Sequence, residues 1–241
     1  WGWRVPFFFG LLLIPIALFL MKQMPETLHH GGGAKKAASQ PVSLKNYTRI
    51  LVLTVLAIMG GTISTYLGNY MTTYAITTLK LPGVMAMGAT VVVGLMTLVF
   101  ALVGGWMCDR FGRRPTMLWP RVLAALLTVP AFMLLIANPS LPILLAVAGF
   151  LAMLTAISGA ASIIAIPEMF PRQIRATGMA IAYAVGVSLF GGTTQYIVTW
   201  LISATGNPAA PAWYVAATSI VTAVAMYLLP ETVEGLPEDK A

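Results

Sequence analysis

Charged residues and cysteine are both scarce in this sequence. Only 9% of its 241 residues are charged, against 59% that are hydrophobic, and the mean hydropathy is +0.86. A soluble domain carries roughly 25% charged residues, so the composition excludes an ordinary soluble protein. The single cysteine, Cys108, excludes a disulfide framework and a cysteine metal cluster within the chain. No nucleophile–base pair or set of metal ligands is grouped as an enzyme requires, so we predict a protein without catalytic residues.

Long apolar runs, in contrast, are abundant. A hydrocarbon core about 30 Å thick is crossed by about 20 apolar residues in a helix. Backbone polar groups in lipid must be paired internally, so runs of this length are predicted to be helices, and the strict alternation of β-barrel strands is missing. The predicted fold class is therefore all-α and transmembrane. The predicted spans are 3–21, 50–78, 85–107, 115–137, 142–166, 174–203 and 212–229.

The net charge of +7 follows a topological pattern rather than one typical of nucleic-acid binding. One set of loops contains eleven basic residues and the opposite set only Arg4 and Lys80, so the positive-inside rule places the first set in the cytoplasm. We predict a cytoplasmic carboxyl terminus, an exterior amino terminus and no nucleic-acid partner. Seven spans from an exterior start are what remains when five earlier spans are missing, so a fragment is expected. The eleven are Lys22, Lys35, Lys36, Lys45, Arg49, Arg110, Arg113, Arg114, Arg172, Arg175 and Lys240.

A solvated linker is predicted between the first and second spans. It contains Gly31-Gly32-Gly33 and shows no apolar periodicity. His29-His30 could bind a metal, but such a pair in a glycine-rich linker is usually inert, and no metal site is predicted. Pro25-Glu26-Thr27 closes the first span and Pro230-Glu231-Thr232 the last, which suggests two related halves. The predicted parts are 1–24, the last helix of an amino-terminal bundle; 25–47, a cytoplasmic linker; 48–230, a carboxy-terminal transmembrane bundle; and 231–241, a cytoplasmic tail.

The loop between the third and fourth spans carries the most specific motif. Residues 105–114 read Gly-Trp-Met-Cys-Asp-Arg-Phe-Gly-Arg-Arg and resemble the G-x-x-x-D-R-x-G-R-R loop signature of the major facilitator superfamily of transporters. Gly105 and Gly112 would permit close helix approach and a tight turn, and Asp109 would interact with the amino end of a neighbouring helix. The alternative is a basic stop-transfer turn, which would need neither the two glycines nor Asp109 at this spacing. The arginines expected to pair with acidic groups or hold the membrane surface are Arg110, Arg113 and Arg114.

A second motif is predicted to contact this loop. Residues 167–178 resemble the E-x-F-P-x-x-x-R-x-x-G segment between spans ten and eleven in several families of the superfamily. Glu168 and Arg175 are placed to form a charge network with Asp109 and Arg113. Our hypothesis is a latch that forms when the cytoplasmic side is closed and breaks when it opens. A static contact that only holds the helices together is the alternative.

The chain further resembles one branch of the superfamily, the metabolite:proton symporters, which carry organic acids such as citrate, α-ketoglutarate and shikimate, and betaines. Residues 2–7 are similar to their G-W-R-x-P-F motif at the start of span six, and Phe190-Gly191-Gly192 to their F-G-G in span eleven. The Gln-Gln pair and the G-P-x-x-W segment of the sugar porters, the rival branch, are absent. The resemblance implies spans six to twelve of a twelve-span bacterial inner-membrane carrier, a six-helix bundle plus one preceding helix.

Polar residues within spans are the candidates for substrate binding, because they are costly in lipid. One group in the second span falls at helical spacings of three and four, which predicts a shared face. Hydrogen bonding to neighbouring helices is the alternative. A smaller group follows the Gly191-Gly192 break in the sixth span. The two groups are Tyr66, Asn69, Tyr70, Thr73 and Tyr74, and Thr193, Thr194 and Gln195.

Arg121 is the only charged residue deep inside a predicted span, since Arg4 and Arg175 are each the second residue of theirs. It lies about 10 Å beyond the cytoplasmic loop at 1.5 Å per residue. An arginine is a natural bidentate partner for a carboxylate substrate, but its long stem could also snorkel back to the interface. Arg121 is therefore a candidate substrate-binding residue.

The predicted function is secondary active transport, as proton-coupled symport of a small organic acid such as a di- or tricarboxylate by alternating access. The resemblance implies a proton gradient as the driving force and no cofactor. It also implies the bilayer, the organic acid, H⁺ and the missing amino-terminal half as partners. Apart from Asp109 and Glu168, both at the interface, no carboxylate lies within a predicted membrane helix, so the proton-binding group is expected in the missing half. The alternatives are a sugar or polyol porter and a non-transporting membrane sensor derived from a transporter.

Overall fold

The computed structural model describes residues 8–23, 47–171 and 174–229, and the chain divides into two compact units, Trp1–Pro41 and Val42–Ala241. Several sequence features lie outside the described residues: the motif at residues 2–7, His29-His30 with most of the linker, Arg172, both Pro-Glu-Thr tripeptides and the tail. The proposed boundaries at residues 24, 47 and 230 therefore stay predictions.

The first unit contains one described helix. A single turn of 3₁₀ helix, Phe9–Leu12, leads into helix α1, Leu13–Gln23. The side chains of residues 13–20 are exposed within this unit. The predicted span 3–21 is thus helical where the structure describes it, although the described stretch alone is too short to count as a candidate span.

The second unit is a bundle of long apolar helices. Six stretches of the described chain are long and apolar enough to cross a membrane, which confirms six of the predicted spans and the all-α fold class. The sixth, Arg175–Thr205, is not one regular helix, because a π-helical segment, Gly186–Gly191, separates α6 from α7. The helices are α2 (Thr48–Thr77), α3 (Gly83–Phe111), α4 (Arg113–Ala137), α5 (Leu141–Glu168), α6 (Arg175–Val185), α7 (Gly192–Thr205) and α8 (Ala210–Leu228).

The connections gather at two ends of the bundle. At one end the α3–α4 turn meets the carboxyl end of α5, where Arg113 and Glu168 form an ion pair. This α3–α4 turn is made by Gly112, whose φ of 89° is accessible to glycine at little cost. At the other end the hydroxyl of Tyr74 on α2 donates to the carbonyl of Pro208 before α8, at 2.8 Å. Gly206, with φ of 65°, ends α7 there.

The core lies around α2, which packs against α3, α5, α6, α7, α8 and the π-helical segment. One buried cluster includes Tyr74 and Phe132, whose ring centroids are 5.5 Å apart. A second cluster, nearer the ion-paired end, includes Ile166, Phe170 and Met226. Between them the middle of α2 carries Gly60 and Gly61, and the polar site described below is built on these two residues.

Candidate functional site

Arg121 lies wholly inside the bundle. Only 1% of its surface is exposed, so the side chain does not snorkel to the interface. It extends from α4 to the middle of α2, where Nη1 donates to the carbonyl of Gly60 at 3.1 Å and to Oγ of Ser64 at 3.0 Å. Within the described part of the chain no carboxylate is paired with it. A buried cation without a counterion is costly and is therefore a candidate for function.

Two adjacent glycines of α2 lie against Arg121 and Thr222. A Cβ built on Gly61 would lie 3.4 Å from Nη2 of Arg121, and one on Gly60 would lie 2.3 Å from Oγ1 of Thr222. The N–H of Gly60 donates to that Oγ1 at 3.0 Å, and Thr222 in turn donates to the carbonyl of Leu56 at 2.8 Å. Gly60 thus connects α2, α4 and α8 through its two backbone polar groups.

A cavity of about 280 Å³ lies beside Arg121, between α2, α5, α6 and α8. Among the described residues, Arg121 is the only charged one that lines this cavity, and Tyr66 is the only other predicted substrate-binding residue that does. A second cavity of about 230 Å³ shares part of the wall, including Thr65 and Thr155. The hydroxyl-bearing residues of the first cavity are Thr62, Thr65, Tyr66, Thr155, Ser162 and Tyr183.

The polar residues of α2 that were predicted to bind substrate differ in burial. Tyr70 and Tyr74 are 7% and 0% exposed and belong to the core. Tyr70 accepts a hydrogen bond from Oγ1 of Thr199 at 3.2 Å. Asn69 and Thr73 are exposed. Steps of three and four residues keep the five on one broad side of α2, but this side runs from the core to the exposed surface. Only Tyr66 lines the cavity of Arg121, and the substrate-binding roles of Asn69, Tyr70 and Thr73 stay predictions.

The second predicted group begins just after the π-helical segment. The chain does not break at Gly191-Gly192; it widens to π-helical turns and then continues as α7. Thr194 is fully buried and donates to the carbonyl of Phe190, whereas Gln195 and Thr193 are exposed. Gly191 packs directly against two residues of the cavity wall, since a Cβ there would lie 2.7 Å from both Thr62 Cγ2 and Tyr66 Cε2. No sequence pattern predicted this π-helical packing.

Part of the predicted charge network forms at the end of the bundle. Arg113 Nη1 contacts Glu168 Oε2, and both side chains are about one-third exposed, at 30% and 32%. Asp109 is exposed and forms no ion pair with any described residue. Arg175 donates from Nε to the carbonyl of Phe170 at 3.2 Å rather than to a carboxylate. The structure therefore joins two of the four predicted members.

The other residues of the loop signature have separate contacts. The Arg110 guanidinium lies 5.4 Å from the centroid of Trp106 and 5.9 Å from that of Phe111, exposed aromatic residues of the kind found at membrane interfaces. Arg114 donates to the carbonyl of Tyr227 and lies over its ring, and so holds α4 to α8. The close helix approach expected at Gly105 occurs instead at Gly104, where a Cβ would lie 2.9 Å from Ile157 Cα, whereas one on Gly105 would meet nothing within 4 Å.

Similar proteins place the chain among transporters. It is 30% identical to the citrate-proton symporter of Klebsiella pneumoniae over 91% of this chain and 50% of the relative. It is 33% identical to the alpha-ketoglutarate permease of Escherichia coli K12, over 98% of this chain and 55% of the relative. For the ectoine/proline transporter ProP of Corynebacterium glutamicum the identity is 30%, over 96% and 49%.

The chain thus spans about half the length of the curated relatives it matches. No solved structure matches it significantly. The family model described as Sugar (and other) transporter matches residues 20–236, nearly the whole chain. The chain therefore belongs to the Sugar (and other) transporter family, within the major facilitator superfamily that its loop signature predicted.

Proposed function

We propose that this chain is part of a proton-coupled symporter of small organic acids, in the inner membrane of a bacterium and with its carboxyl terminus in the cytoplasm. The single observation that carries the proposal is the kind of relative it has. Two of them, which align with nearly the whole chain, are a citrate-proton symporter and an alpha-ketoglutarate permease.

The charges inside the bundle support an anionic solute. Arg121 is the one charged side chain within the interior of the described bundle, and no described acidic residue neutralises it. A sugar would offer the Arg121 guanidinium only hydroxyl groups, whereas a carboxylate would offer a negative charge and two coplanar acceptor oxygens. An organic acid therefore matches this interior better than a neutral sugar or polyol does.

Transport by alternating access would require the two ends of the bundle to open in turn. The ion pair between Arg113 and Glu168 joins the α3–α4 turn to the carboxyl end of α5, and we propose it as the latch of the cytoplasmic end. The described carboxylates, Asp109 and Glu168, lie at this end and outside the cavity. We therefore place the proton-binding group of the transport pathway outside the described residues.

Zwitterion transport is the second candidate, because the ectoine/proline transporter ProP also aligns over 96% of this chain. Proline and betaines carry one carboxylate that Arg121 could bind, but they also carry a cation. No described acidic side chain lines the cavity to receive that cation. This difference favours acids over zwitterions for this chain.

Uptake measurements would test the function directly. The full open reading frame that encodes this chain is expressed, and proteoliposomes containing the purified product are given an inward proton gradient. Radiolabelled citrate, α-ketoglutarate, proline, glycine betaine and glucose are compared, with and without a protonophore. We expect saturable uptake of citrate or α-ketoglutarate that the protonophore abolishes. Uptake of proline or betaine alone would identify a zwitterion, not an acid, as the substrate. Saturable uptake of glucose alone would contradict the proposal.

A further inference from the structure

We propose that Arg121 binds a carboxylate of the transported solute through the Nε–Nη2 edge of its guanidinium, within the cavity between α2, α5, α6 and α8. This inference rests on the proposed function and deepens it, because it assigns one carboxylate of the acid to one side chain. It concerns an arginine of α4 that reaches its ligand across the bundle.

The hydrogen bonds between Arg121 and the described residues use one nitrogen of the guanidinium. Nη1 donates to the carbonyl of Gly60 and to Oγ of Ser64. Nε is buried and has no hydrogen-bond partner, and Nη2 donates to no residue in the described part of the chain. In a planar guanidinium, Nε and Nη2 lie on the same edge, so the two unused donors form one fork. Such a fork matches the two oxygens of a carboxylate.

An internal role alone leaves this fork unexplained. If Arg121 only fastened α4 to α2, the bonds from Nη1 would suffice, and an uncharged donor would fasten them without the cost of burying a cation. Leaving a buried donor unpaired adds a further cost. A bound carboxylate removes both the cost of the buried charge and the cost of the unpaired donor, since it supplies the counterion and accepts hydrogen bonds from Nε and Nη2. The bonds from Nη1 then hold the fork in place before the ligand arrives.

The cavity has the volume and the lining for the rest of a small acid. Its volume of about 280 Å³ is that of roughly nine waters at about 30 Å³ each. Thr62, Tyr66 and Tyr183 line it, and their hydroxyls donate to no described residue. They are neutral donors that can bind further oxygens of the acid. No described acidic residue lines the cavity, so no described side chain there repels an anion.

The first test compares ligand binding by variants of Arg121. The protein encoded by the full open reading frame is purified in detergent, and thermal unfolding is followed while citrate or α-ketoglutarate is titrated. Arg121→Gln removes charge and fork, and Arg121→Lys keeps the charge but not the fork. We expect the dissociation constant to rise about 10- to 100-fold in Arg121→Gln, as for loss of a charged hydrogen-bonded pair, and less in Arg121→Lys. A variant that unfolds too readily is replaced by the pair below.

The second test leaves Arg121 in place and obstructs its fork. Gly61→Ala adds a methyl group 3.4 Å from Nη2, an ordinary contact distance that the fold can accept. Gly68→Ala is the matched control, because it lies on the same helix and its methyl meets Val93 Cγ1 at 3.5 Å, away from Arg121. Gly61→Ala should weaken carboxylate binding about tenfold by displacing one oxygen. Gly68→Ala should bind as the wild type does.

The outcomes separate this inference from the proposed function. If neither acid stabilises the wild-type protein and neither is taken up, the proposed function is wrong and the inference goes with it. If the wild type binds and transports an acid, but Gly61→Ala and the Arg121 variants bind it equally well, the proposed function stands and this inference is wrong. Arg121 would then be only a helix fastener, or paired with an acidic side chain outside the described residues. Selective loss of binding in these variants supports the inference.

Discussion

Gly60 has the most constrained surroundings of the residues around the site. Its carbonyl accepts from Arg121 and from Ser64, and its N–H donates to Thr222, so three helices meet on one residue without a side chain. A Cβ here would lie 2.3 Å from Oγ1 and 2.8 Å from Cβ of Thr222. Thr222 cannot give way easily, because its hydroxyl is bonded to the carbonyl of Leu56 and its side chain is fully buried.

Gly60→Ala is therefore expected to destabilise the bundle. Forcing a methyl group into a packed core costs about 1–3 kcal/mol, and the bond from Gly60 to Thr222 is lost as well. Gly94→Ala is the control, because a Cβ on Gly94 would meet nothing within 4 Å. Thermal unfolding of both purified variants in detergent measures the difference. An unfolding temperature of Gly60→Ala equal to that of Gly94→Ala would show that the contact with Thr222 relaxes freely.

For single residues, the sequence identified Arg121 as a candidate for function but not the contacts that it makes. Arg121 could be recognised because a charge within an apolar run is rare. Its inward orientation is fixed by acceptors on another helix, the carbonyl of Gly60 and Oγ of Ser64, which no pattern within α4 reveals. The tyrosines show the same limit. Tyr66 and Tyr70 are one helical turn apart, yet one lines the cavity and the other belongs to the core.

Among the elements, the π-helical segment Gly186–Gly191 is the one that shapes the cavity. It packs along α2, where a Cβ on Gly186 would lie 2.8 Å from Ile58 Cγ2 and one on Gly191 would lie 2.7 Å from Tyr66 Cε2. The two glycines at its ends let the wider backbone lie directly on α2. Single π-helical turns often occur at functional sites. Here the segment sets the position of the Tyr66 ring.

Gly191→Ala should then disturb the site, while the same change one residue later should not. The added methyl would contact Thr62 and Tyr66, which displaces the ring from the cavity wall and costs about 1–3 kcal/mol of stability. Gly192→Ala is the matched control, since its methyl would meet nothing within 4 Å. We expect a lower unfolding temperature and a higher KM for the acid in Gly191→Ala alone. Equal values in the two variants would refute this role of the segment.

The helices themselves could be predicted because hydropathy and length determine them. Six predicted spans match helices of the structure, and breakers such as Pro82 and Gly206 lie where α3 begins and α7 ends. The π-helical turns could not be predicted, because they differ from α-helix only in which carbonyl each N–H reaches. Their position is determined by packing on α2, which is far away in the sequence.

For the whole molecule the question is how the two ends of the bundle differ. One end carries the signature loop, with Arg113 paired to Glu168 and Arg114 bonded to the end of α8. At the other end, an uncharged hydrogen bond from the Tyr74 hydroxyl to the Pro208 carbonyl joins α2 to the segment before α8. A partly exposed ion pair contributes little to stability, about 0–1 kcal/mol. A contact this weak can be broken in each transport cycle, and this property distinguishes a latch from a permanent fastener.

The latch hypothesis predicts a change of rate without a change of affinity. Arg113→Gln and Glu168→Gln should each slow uptake, by about fivefold or less for a pair worth about 1 kcal/mol, while KM for the acid stays the same. The double variant should be no slower than either single one, because the two residues act through one contact. Exchange of the charges, Arg113→Glu with Glu168→Arg, should restore part of the rate. A static contact would instead lower the unfolding temperature of every single variant and leave the uptake rate per folded molecule unchanged.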